Sequence, residues 1–60
     1  MYLTVKDLQQ RLGIGRDMAY RFMHQKGFPS IRINRRYVVE DLKLREYLER
    51  HTGGQIKIDK

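Results

Sequence analysis

The chain has 60 residues, no cysteine, and 13 Lys and Arg against 7 Asp and Glu, for a formal net charge of +6. That length allows one domain at most, burying only about 60% of the surface its unfolded form exposes, and the lack of cysteine removes disulfides and cysteine-ligated zinc as staples. No run is long and apolar enough for a membrane span or a signal peptide, so a soluble, cytoplasmic protein is expected.

Thr4 followed by Asp7 reads as a helix start: a hydroxyl to cap backbone N–H groups and a carboxylate in the first turn. Val5, Leu8 and Leu12 then recur at helical spacing through "TVKDLQQRLG". Gly13 suits the left-handed position past the helix end, Ile14 tucks inward, and Gly15 stands where a second helix is capped. Gly13-Ile14-Gly15 begins like a dinucleotide-binding G-x-G-x-x-G, but the third glycine position holds Met18 and a helix, not a strand, precedes it. The second helix is predicted over 16–26, stopped by Gly27. In "GFPSIRINRRYVV" the period changes: Ile31, Ile33, Tyr37 and Val39 are strand formers around a two-residue turn, Asn34-Arg35, in which asparagine tolerates positive φ. From Glu40, "EDLKLREYLERH" places Leu44, Tyr47, Leu48 and His51 on one helical stripe with Leu42 flanking it, and His51 reads as a C-terminal cap. The remainder, 53–60, is expected to be a flexible basic tail.

Helix, glycine turn, helix, hairpin, helix is a mainly α fold of the winged helix-turn-helix kind: a helix-turn-helix, a two-stranded wing and a C-terminal helix, over 1–52. Leu8, Leu12, Ile14, Ala19 and Phe22 supply the inward faces, with Met18 and Met23 at the core or its margin. The outward face of the second helix is then Arg16, Asp17, Tyr20, Arg21 and His24. In a major groove the first of these meet base edges, where arginine binds guanine bidentately. Asp17 is awkward against DNA, and a pair with Arg21 four residues on is expected to occupy it.

The charge is unevenly spread. Residues 14–26 carry a net +2 and 27–38 a net +3 with no acid, whereas 39–52 carry −1. Arg32, Arg35 and Arg36 flank the turn residue Asn34, and such a cationic projection suits a minor groove and its phosphates. The plainer alternative is a solvated helix face and a charged hairpin that resists edge-to-edge pairing.

The run from "LTVKDLQQRLGIGRDMAYRFM" through "GFPSIRINRRYVVEDL" to "REYLE" resembles the small winged-helix family shared by phage and transposon excisionases and the DNA-binding domains of MerR-like regulators. The resemblance implies a recognition helix in the major groove and a wing at the minor groove. Carried over, those roles fall to Arg16, Tyr20 and Arg21, and to Arg32, Arg35 and Arg36. Gln9 stands where the family usually has alanine, and Asn34 replaces the usual glycine of the wing turn.

Catalysis finds little support: Ser30, His24 and His51 are too few and too scattered for a nucleophile, base and orienting partner, and neither a metal nor another cofactor is expected. The leading expectation is a nucleoid-associated factor that binds double-stranded DNA, bends it and directs a tyrosine or serine integrase toward excision, with cooperative self-association on adjacent sites and no membrane partner. A small phage or mobile-element transcriptional regulator is the alternative within DNA binding, and an RNA- or protein-interaction module is the alternative outside it.

Overall fold

Local hydrogen bonding begins the fold at Thr4, in a computed structural model that describes residues 1–57. The Thr4 hydroxyl accepts from the Asp7 backbone N–H at 3.3 Å, and the Asp7 carboxylate accepts from the Thr4 N–H at 3.0 Å. This closed capping box starts helix α1, Val5–Leu12. Gly13 follows at φ 63°. The Ile14 N–H reaches back to the Gln9 carbonyl at 3.1 Å, the six-to-one bond of a Schellman ending that only a left-handed residue permits. Gly15 then caps α2, Arg16–His24, through its backbone alone.

Helix α2 ends two residues before the expected Lys26. Gln25 is already extended, and the Ser30 hydroxyl donates to the Met23 carbonyl at 2.6 Å, satisfying one acceptor orphaned at the helix end. The early stop turns the chain so that Phe28 enters the core. The hairpin forms as read, from β2, Ser30–Ile33, and β3, Arg36–Glu40, with Asn34 at φ 56° in the turn. A strand not foreseen, β1 over Tyr2–Leu3, pairs antiparallel with β3, giving the sheet order β1-β3-β2. The wing is thus part of a three-stranded sheet, not a free two-stranded ribbon.

Glu40 ends β3 and caps α3, Asp41–Arg50, its carboxylate accepting from the Leu42 N–H at 3.0 Å and from the terminal ammonium at 3.1 Å. The ammonium and the Leu42 amide favour its charged form and hold its carboxyl below the usual glutamate range. His51 caps the other end as expected, with Nδ1 2.8 Å from the Tyr47 carbonyl oxygen. Leu3, Leu8, Ala19, Phe22, Met23, Phe28, Val39, Leu44 and Tyr47 form the core. Within it Phe28 meets Phe22 and Tyr47 edge-on, at centroid distances of 5.8 and 5.0 Å, a favoured aromatic arrangement. Met18 lies on the exposed side of α2 instead of at the core margin, and Ile31 and Ile33 face outward from the sheet. Beyond α3, Ile56 packs against the core and the Gln25 side-chain amide donates to the Lys57 carbonyl at 3.2 Å. Residues 58–60, the end of the expected tail, lie outside the described residues.

The capping box makes the fold acid-sensitive. Hydrogen bonds from the Thr4 backbone and hydroxyl hold the Asp7 carboxyl below the ordinary aspartate range. Its pKa is therefore lower folded than unfolded, so this stabilisation is complete above the ordinary value and lost as pH falls through the lowered one. Thermal melting of the wild type should fall more steeply in acid than that of Asp7→Asn. Thr4→Ala should cost about 1 kcal/mol at neutral pH. Parallel acid profiles for wild type and Asp7→Asn would show that the Asp7 carboxylate adds nothing to the box.

Candidate nucleic-acid interface

A helix is read by its exposed side, and α2 exposes Arg16, Asp17, Tyr20, Arg21 and His24 together. Ala19, Phe22 and Met23 bury the other side, so the spacing of apolar residues alone sets which side chains face solvent. The Arg16 guanidinium lies 5.5 Å from the centre of the Tyr20 ring, a cation–π distance that restrains a long side chain. The expected Asp17–Arg21 ion pair is absent. Both groups are exposed, where a pair gains little over hydration, and Asp17 in the first turn is already favoured by the helix dipole. Among the described residues the ion pairs are Met1–Glu40, Arg11–Asp41 and Lys43–Glu46, none of them on α2 or the wing. Asp41 and Glu46 of α3 are engaged elsewhere, and the arginines of α2 and the wing make no ion pair among the described residues.

The hairpin register distributes the wing arginines. Arg32 lies opposite Tyr37, and Ile33 opposite Arg36. Arg32 folds back: its guanidinium is 5.8 Å from the Tyr37 ring centre, and its Nε donates to the Asn34 carbonyl at 3.1 Å. Arg35 stands at the tip. Alternation along β3 sends Arg36 to the sheet face opposite Tyr37. The three wing arginines therefore surround the tip instead of forming one patch.

Tyr37 joins the two elements. Its ring meets the His24 imidazole at 4.4 Å between centroids, so His24, Tyr37 and Arg32 make a continuous stack from the end of α2 to the base of the wing. Tyr20, Tyr37, Arg35 and Arg36 also line one concavity between helix and wing. The exposed side of α2 and the cationic hairpin tip thus open on the same side of the molecule. From the sequence alone Tyr37 reads only as a strand former. A two-residue turn at Asn34-Arg35 already places it opposite Arg32, so its position was available from the register.

The profile of the helix-turn-helix domain family matches residues 2–52, from β1 to just past α3. The chain belongs to that family. The family is associated with excisionases and DNA-binding regulators, which supports binding of double-stranded DNA by this helix-turn-helix domain. No curated protein and no solved structure matches the chain. Among the described residues no helix is long and apolar enough to cross a membrane, and no cluster of His, Cys, Asp and Glu is suited to hold a metal ion.

Proposed function

We propose that this helix-turn-helix domain is an accessory factor of site-specific recombination that resembles an excisionase, binding and bending duplex DNA so that an integrase is directed toward excision. The observation that supports it best is the His24–Tyr37–Arg32 stack, which ties the wing to α2 so that one duplex face meets both. Arg16 reads a base edge in the major groove, and Tyr20, Arg21 and His24 border that groove. Arg35 at the tip approaches the minor groove, with Arg32, Asn34 and Arg36 supporting the turn and adjoining phosphates. Asp17 is the unfavourable member of the face and limits non-specific affinity. Gripping adjacent grooves at once favours a bent duplex over a straight one.

A single module of this size buries roughly 600–1,000 Å² of protein surface on DNA, so stable occupancy is reached by cooperative binding of several copies to adjacent sites. Neutralising about five phosphates predicts a slope of about −4.5 in log K against log salt. Arg35→Ala should weaken binding most at sites with A·T flanks. A slope near zero, measured by fluorescence anisotropy, would remove the electrostatic basis of the reading. Excision assays with a tyrosine or serine integrase test the finer role: unchanged direction of recombination, with altered transcription from a bound promoter, would make the domain a regulator of a mobile element.

A further inference from the structure

We infer that Lys6 and Tyr20 form a phosphate clamp for the DNA backbone strand that separates the major groove from the minor groove, an inference that rests on the duplex-binding reading above. Two concavities open side by side on the face that carries α2 and the wing. Arg16, Gln9 and Gln10 wall the first, whereas Arg35, Arg36 and Tyr37 wall the second. Val5, Lys6 and Tyr20 line both and therefore form the saddle between them. With α2 in one groove and the wing in the next, the intervening strand passes over that saddle, as the first helix of a helix-turn-helix crosses the backbone.

The chemistry of the saddle fits a phosphodiester. Lys6 supplies a strongly hydrated point charge and Tyr20 an O–H donor. Lys6 is exposed in the first turn of α1 and makes no ion pair among the described residues. A cation there opposes the helix dipole. Its charge favours the neighbouring Asp7 carboxylate without forming an ion pair with it, so the ammonium can still meet an anion arriving at the saddle. Contacts of this class set register and affinity and carry no sequence information.

The test uses the full chain with two probes: poly(dI-dC), and a duplex enriched from a random library by the wild type. Lys6→Gln should weaken binding to both by the same factor, roughly tenfold at low salt, and flatten the salt slope by about 0.9. Lys6→Arg should restore both. Tyr20→Phe should weaken both probes equally without changing the slope. Melting of Lys6→Gln at or above the wild-type temperature shows that the loss is not one of folding. A wild-type slope retained by Lys6→Gln, or a changed ratio between the probes, overturns the clamp and leaves duplex binding intact. Failure of the wild type to bind poly(dI-dC) in a salt-dependent way overturns the duplex reading itself.

Discussion

Leu8→Ala should remove a large part of the domain's stability at room temperature. Leu8 is fully buried on the inward side of α1, in the core that also holds Ala19, Phe22 and Val39. Truncating such a leucine typically costs about 2–5 kcal/mol, as lost transfer energy plus the cavity left behind. Native domains retain roughly 0.05–0.15 kcal/mol of stability per residue. For a chain of 60 residues with no disulfide that is on the order of 3–9 kcal/mol in all. The substitution thus removes a large part of the total. Leu42→Ala provides the contrast: Leu42 is 62% exposed, and its loss should stay within about 0.5 kcal/mol. Urea unfolding followed by far-UV circular dichroism reads both. A Leu8→Ala midpoint close to that of Leu42→Ala would mean that α1 is not held by this core.

The features legible in the sequence are those that residues close in the chain decide together. Thr4 and Asp7 close their box across three residues, Gly13 lets Ile14 bond to Gln9, Asn34 takes a positive φ in a two-residue turn, and His51 bonds to Tyr47 one helical turn back. Each is a local choice with a distinct residue type attached. Strand β1 is not legible because two residues carry no alternation, and their partners, Val39 and Glu40, lie far along the chain. The end of α2 is not legible for a related reason: Gly27 is a credible stop, but the Ser30 hydroxyl claims the Met23 carbonyl first. Asp17 and Arg21 show the opposite error, where correct spacing was read as contact although water competes equally well for two exposed charges.

The candidate interface divides the same way. Which side of α2 faces outward follows from the apolar spacing, and the cationic turn is visible as a run of arginines. What joins them is not visible locally, because His24 and Tyr37 meet only after the hairpin has folded back over α2. Lys6, too, looks like any solvated charge until the two concavities beside it show what it separates. Packing converts three unremarkable side chains into a surface with a direction.

That direction makes Arg16 the residue whose loss should cost most in recognition. It is the first residue of α2, exposed, with its guanidinium restrained against Tyr20. A bidentate arginine–guanine pair contributes about 1–3 kcal/mol of discrimination against the wrong base, so Arg16→Ala should reduce preference for the enriched duplex over a copy carrying A·T at the contacted G·C pair by roughly 5- to 150-fold. Arg16→Lys separates fork from charge. Lysine keeps the positive charge and so retains affinity for the A·T-substituted copy, but it lacks the planar paired donors and should lose most of the preference. Arg35→Ala should do the reverse at sites without A·T flanks, weakening both probes while keeping their ratio. Competition binding at fixed salt measures the ratio directly. If Arg16→Ala preserves the ratio while Arg35→Ala destroys it, the wing reads the sequence and α2 serves as a backbone strut, and the assignment of helix and wing must be exchanged.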